Sequence, residues 1–186
     1  MKVFATSDQH FMHFNIIKYA NRPFDLSDEG IKECINTIVN KHNEIVSDDD
    51  LVLHLGDLGH GKNQSKEIIG YILENLKGKK ILIKGNHDNW DDDFYLQYFQ
   101  RVIDKFLLIN GVFLCHYPCF KTQYSSDLEL ELIERVHKSK PDVIIHGHCH
   151  NKNPEEFTDE FKRINVSVDY TPNNFYPIEI TNLIYK

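Results

Sequence analysis

Short apolar runs of strand character recur along this chain, and each of five polar clusters follows one of them. Residues 2–7 alternate and are β-prone, and Asp8-Gln9-His10 comes next. Leu51-Val52-Leu53-His54-Leu55 reads as a buried strand and runs into Gly56-Asp57. Ile81-Leu82-Ile83 runs into Gly85-Asn86-His87-Asp88. Val112 onward closes on a lone His116, and Val143-Ile144-Ile145 leads into Gly147-His148-Cys149-His150. Apolar runs this short must be buried in sheets, and open α/β folds gather their ligands at the carboxyl ends of such strands. One fold can therefore bring all five clusters to one edge.

The segments between them read as helices and turns. Ile31, Ile35, Ile38, Ile45 and Val46 recur at helical spacing over residues 27–46, with Ser27 as N-cap. Residues 65–76 carry a second apolar face, ended by Gly78. Aromatic spacing predicts a short helix near residues 91–100, and residues 126–138 read as another helix. Asn110-Gly111 marks a tight hairpin, because both residues accept positive φ. Ile164 to Val168 alternates as a strand with one wet face, and the last strand falls at residues 176–180. Residues 151–162 are polar and read as a surface excursion. No repeat, low-complexity tract or linker divides residues 1–186, which read as a single domain. The mixture implies an α/β fold, with a mixed sheet or two sheets facing each other between helices.

The five clusters together supply carboxylates, an amide oxygen and several imidazoles. Two divalent metals sharing one carboxylate need that set, and such a pair splits phosphate esters. The order D-x-H, G-D, G-N-H-[DE], lone His, G-H-x-H resembles the calcineurin-like metallophosphoesterase family, and its small bacterial and phage branch in particular. The signature spans residues 8 to 150. The resemblance implies a four-layer αββα sandwich with two facing mixed β-sheets. It also implies a ligand set: Asp8, His10, Asp57 and His150 for one metal, and Asp57, Asn86, His116 and His148 for the other. Asp57 would bridge, since a carboxylate has two oxygens and an imidazole cannot readily link two cations. Mixed N/O ligation suits Mn, Fe, Zn or Ni, with Mg also admitted, better than Ca. The implied reaction is in-line attack on phosphorus by a hydroxide activated between the metals. His87 would protonate the leaving oxygen, and Asp88 would orient His87.

Composition limits the substrate. The chain carries 21 basic and 28 acidic residues, a formal charge of −7. That balance gives no strong nucleic-acid-binding signal, because phosphate-backbone affinity rests on clustered Lys and Arg. It favours a small phosphorylated substrate, nucleotide-like compounds included, hydrolysed as a diester by analogy with small relatives. The expected compartment is the cytoplasm. No signal peptide or membrane-length apolar run is read, and the four cysteines are expected to stay reduced.

Not every histidine belongs to the site. His42 and His137 lie in expected helices, and His54 sits within an apolar strand, where a neutral core histidine fits. His146 reads as a supporting residue behind the ligands, and His60 as pocket-lining or solvated. Cys149 should face away from its neighbours, because adjacent side chains of an extended segment point oppositely. Cys115 and Cys119 read as packing. His13, Asn15 and Arg22 resemble phosphate or leaving-group contacts in the small branch. Arg22 also reads as a surface or capping residue. The stretch after Asp57, Leu58-Gly59-His60-Gly61, lacks the Arg of the protein phosphatases of this superfamily. A second reading is a fold-retaining scaffold that binds protein partners, and a third is a single-metal hydrolase.

Overall fold

The computed structural model describes residues 1–59, 63–151, 157 and 159–186. Its elements run β1 (Val3–Thr6), α1 (Ile16–Tyr19), α2 (Asp28–Ile45), β2 (Leu51–His54), α3 (Asn63–Asn75), β3 (Lys79–Ile83), α4 (Asp92–Tyr95) and β4 (Arg101–Ile103). They continue as β5 (Phe106–Ile109), β6 (Val112–Cys115), α5 (Asp127–Ser139), β7 (Val143–His146), β8 (Arg163–Asn165), β9 (Ile178–Glu179) and α6 (Thr181–Ile184). The strands form two sheets, ordered β4-β3-β2-β1-β9 and β5-β6-β7-β8. Both are mixed. β9 runs antiparallel to β1 and β5 antiparallel to β6, while the remaining pairs are parallel.

Side-chain alternation along the strands builds the layers. Val3, Ala5, Leu53 and Leu55 of the first sheet meet Leu114 and Ile145 of the second in one buried cluster. The intervening residues face outward. Leu82 packs under the apolar faces of α2 and α3. Phe113, Cys115 and Ile144 pack under Leu132 and Val136 of α5. Helix, sheet, sheet and helix therefore stack in four layers, as the resemblance implied.

Local signals account for the boundaries. The Ser27 hydroxyl accepts from the Gly30 amide at 3.1 Å and starts α2. Ser126 and Glu129 form a reciprocal capping box at α5. Asn110 and Gly111 take φ of 48° and 78°, and Ile109 pairs with Val112 across the hairpin. Three short elements, α1, β4 and α6, were not expected, and α4 ends sooner than its aromatic spacing suggested. The aromatic residues there still pack inward, since Phe94, Tyr95 and Phe99 are all buried.

His42 gives this fold a measurable pH dependence. Its ring is buried on α2 and meets the Lys77 carbonyl at 2.9 Å. Burial pushes its pKa down from 6.5 to about 4. The unfolded chain thus binds a proton below pH 6.5 that the folded chain refuses until about pH 4. Stability is full above the upper value and lost as pH falls through that window. By pH 5 the loss from this group is about 2 kcal/mol. Urea denaturation in chelator should show His42→Gln losing correspondingly less than wild type between neutral pH and pH 5. Parallel curves would rule this contribution out.

Candidate metal centre

Each sheet contributes to both ligand groups. Ligand atoms of Asp8, His10 and His150 all lie within 4.8 Å of one another, as do those of Asp57, His116 and His148. Asp8, His10 and Asp57 follow β1 and β2 of the first sheet, whereas His116, His148 and His150 follow β6 and β7 of the second. Asn86 follows β3. Its Oδ1 stands 3.1 Å from both His116 Nε2 and His148 Nδ1, which are themselves 3.2 Å apart. Asp57 Oδ2 lies 3.5 Å from His10 Nε2 and 3.4 Å from His116 Nε2, between the two groups.

This donor set fits divalent cations. His116 Nδ1 meets the Leu55 carbonyl at 2.8 Å, an acceptor only, so the neutral ring keeps its proton there and turns the Nε2 lone pair to the site. His150 Nδ1 meets Asp169 Oδ2 at 2.6 Å, which likewise leaves Nε2 to the site. Both ring nitrogens of His10 are buried without a hydrogen-bond partner among the described residues. A buried polar atom left unpaired is costly, and a bound cation would remove that cost.

The electrostatics agree. Burial alone would lower His116, but the Asp57 carboxylate against it raises it to about 9. Burial alone would raise Asp57, yet the His116 bond and charge, with His10 and the His87 amide, hold it well below the usual carboxylate range. Burial lowers His10 to about 2, and burial with the nearby His116 charge lowers His148 to about 4. The site attracts positive charge at its centre, where the carboxylates raise His116 and His150, while the His10 and His148 rings resist protonation.

The loops hold these groups in an unusual backbone conformation. Asp8, His10, Asp57, His148 and His150 have φ of 62°, 50°, 55°, 66° and 47°. Left-handed non-glycine residues cost on the order of 1 kcal/mol each and persist only where surroundings over-determine them. The surroundings here are a weave of bonds between loops. The Asp8 amide donates to the Gly56 carbonyl and the His10 amide to the Asp57 carbonyl, each at 3.0 Å. The His148 amide donates to both Asp8 carboxylate oxygens, at 3.1 and 3.0 Å. Gly147 packs so closely on Asp8 Oδ2 and Ser7 Oγ that any Cβ would collide with them. A Cβ on Gly85 would collide with Asp57 Oδ1.

Some expected residues sit elsewhere in the chemistry. Arg22, a candidate for phosphate contact or a surface place, is turned inward. It is buried, and all five of its N–H donors have acceptors. Two go to the Asp169 carboxylate, at 2.6 and 3.1 Å, and the others to the Asp8 and Gln9 carbonyls and Cys34 Sγ. Asp88, expected beside the His87 ring, is taken up by backbone amides. Its carboxylate accepts from the backbone amides of Asp57, Leu58 and Gly85 at 2.7, 3.0 and 2.8 Å, clamping two ligand loops together. Burial outweighs those bonds and raises its pKa to about 6. Asn15 is exposed at the start of α1, where its carbonyl accepts from Lys18 and Tyr19.

Other residues stand near the ligands. His87 and His13 lie beside His10, with ring centroids 5.3 and 5.4 Å from it and 6.5 Å from each other. The His87 amide donates to Asp57 Oδ1 at 2.9 Å. His54 and His146 are buried, with pKa lowered by burial to about 3 and about 4. Cys149 belongs to neither ligand group. The reason differs from strand alternation, since the left-handed residues on both sides of it make the segment a turn. Cys115 and Cys119 are buried against α5, as expected of packing residues. His60 lies outside the described residues. Sequence reading missed Asp169, which sits just beyond the alternating strand with no motif to mark it.

A model of the family described as calcineurin-like phosphoesterase matches residues 1–166. An uncharacterized protein of Methanocaldococcus jannaschii is 35% identical over 192 residues, covering 100% of this chain and 90% of that one. A crystal structure of a protein of unknown function from Aquifex aeolicus superposes with a TM-score of 0.77 at 29% identity, covering 96% of this chain and 95% of that one.

Proposed function

This chain belongs to the calcineurin-like phosphoesterase family, and we propose that it is a phosphodiesterase that works with two divalent metal ions. The observation that carries this reading is the placement of Asp57 Oδ2 between His10 Nε2 and His116 Nε2. One carboxylate so placed can serve two cations at once. Asp8, His10 and His150 would hold one ion with Asp57. Asn86, His116 and His148 would hold the other with it. Mn, Fe, Zn, Ni or Mg fit this mixture of oxygen and nitrogen donors. When bound, the pair supplies a nucleophile at neutral pH and neutralises charge on the phosphoryl oxygens.

The chain's own groups do the rest. Asp57 Oδ1 takes the His87 amide, which fixes the backbone that carries the His87 ring. That ring is only partly buried, beside His10 and outside both ligand groups. From there it would donate a proton to the leaving oxygen. His13 stands beyond it, next to the exposed ring of Tyr19, and would contact the departing group. The preference for diesters draws on the resemblance to small members of the family. The substrate would be small and phosphorylated, with nucleotides as one class, and the compartment the cytoplasm. No helix among the described residues is long and apolar enough to cross a membrane.

The test is a metal-supplemented screen of bis-p-nitrophenyl phosphate, p-nitrophenyl phosphate, cyclic nucleotides and single-stranded oligonucleotides. Faster turnover of diesters supports the reading. Faster turnover of monoesters overturns its diester part, and metal binding without hydrolysis favours a scaffold. Within that screen, His87→Ala should slow esters of poor leaving groups by about 100-fold or more, the usual worth of a general acid. Esters of p-nitrophenol, whose anion leaves unaided, should change far less, and metal content should stay the same. Equal slowing of both classes would remove His87 from the acid role.

A further inference from the structure

The two ligand groups are supported unequally. Arg22 and Asp169 form a buried pair, with side chains 2% and 1% exposed. Every other residue that their side chains bind, save Cys34, lies in or beside the first ligand group. Asp169 Oδ2 takes His150 Nδ1 at 2.6 Å, and Arg22 donates to the carbonyls of Asp8 and Gln9 at 2.9 and 3.0 Å. The second group has different supports. His116 rests on the Leu55 carbonyl, and the loops of Asp57 and Asn86 are tied by Asp88.

We infer that Asp169 is a positioning residue for the first metal site alone: it holds the ring proton of His150 on Nδ1, turns Nε2 toward Asp8 and His10, and has its own orientation fixed by Arg22. This inference rests on the two-metal reading. A carboxylate behind a ligating imidazole fixes the tautomer and raises the basicity of the ligating nitrogen. Arg22 supplies the rigid fork that Lys could not, because two of its nitrogens meet the two Asp169 oxygens. The two charges offset each other, so the pair sits buried beside the cation site without adding net positive charge.

The experiment titrates metal-free protein with Zn²⁺ in competition with a chelating indicator, in wild type, Asp169→Asn and Asp169→Ala. Asn keeps an acceptor for His150 but loses the charge, and Ala loses both. One of the two Zn²⁺ affinities should weaken by about 10-fold in Asn and about 100-fold in Ala, with the other nearly unmoved. A merely structural role would lower the melting temperature of the metal-free protein without changing the ratio of the two affinities. Equal weakening of both sites, or of neither, overturns the inference. Nitrogen NMR of the His150 ring in metal-free protein at alkaline pH is the independent readout. The proton should sit on Nδ1 in wild type and Asp169→Asn, and move toward Nε2 in Asp169→Ala. An unchanged ring in Asp169→Ala also overturns the inference. If Asp169→Ala does not fold, the Asn titration decides. Wild type that takes up fewer than two Zn²⁺ refutes the two-metal reading, while the ring proton still decides what Asp169 does.

Discussion

Replacing Asp57 with Asn is expected to remove nearly all phosphoesterase activity. The side chain is committed on both oxygens: Oδ1 takes the His87 amide at 2.9 Å, and Oδ2 lies between the ring nitrogens of His10 and His116. An amide has one acceptor and one donor. Turned one way, its NH₂ opposes the His87 N–H. Turned the other, it aims hydrogens at the place where cations would sit. The shared negative charge goes in either case. Cation stabilisation of a phosphoryl transition state is worth several kcal/mol, so the loss should exceed about 1,000-fold in kcat/KM. Steady-state assays with bis-p-nitrophenyl phosphate, alongside elemental analysis, check this. A variant that keeps more than about a tenth of the activity would show that Asp57 does not bridge.

The second large effect concerns stability. Arg22→Ala removes five N–H donors from a buried place. It leaves Asp169 ionised, enclosed and without its countercharge, and takes a donor from each of the Asp8 and Gln9 carbonyls. Breaking one side of a buried ion pair costs about 3–5 kcal/mol, because the other charge stays behind. In a chain of this size that is roughly a 10 °C drop in melting temperature. Arg22→Lys keeps a charge but loses the fork, and should recover only part of the loss. Urea denaturation in chelator measures the folding term without metal. A cost below about 1 kcal/mol for Arg22→Ala would place this pair among interactions that contribute little to stability.

The candidate ligands stood out because each cluster compresses its chemistry into a few residues after a strand. Gly56-Asp57 and Gly85-Asn86-His87-Asp88 announce a tight loop and its donors together. The glycines could be read as part of the pattern, though not what they avoid, which is collision with a neighbouring loop. Arg22 and Asp169 were not legible as a pair. They meet across 147 positions of chain, and nothing in the surroundings of either residue in sequence names the other. Arg22 therefore read equally as a phosphate contact and as a surface or capping residue. For Asp88, adjacency to His87 suggested a partner, while the turn sends its carboxylate to backbone amides. Among the elements, α2 and α5 carry full turns of apolar periodicity and caps, whereas β4 has three residues and too little pattern to detect.

The division of each ligand group between the two sheets has a mechanical consequence. A cation bound to Asp8, His10 and His150 would act as a rivet through the seam of the sandwich, and one bound to Asp57, Asn86, His116 and His148 as a second. Ion affinity then measures how well the sheets stay aligned. A cavity cut into the middle layer, at Leu114 or Leu53, would let the sheets slide and would register first as metal loss, with the catalytic side chains all intact. Binding energy at the rivets would in turn be shared by the whole layer beneath them.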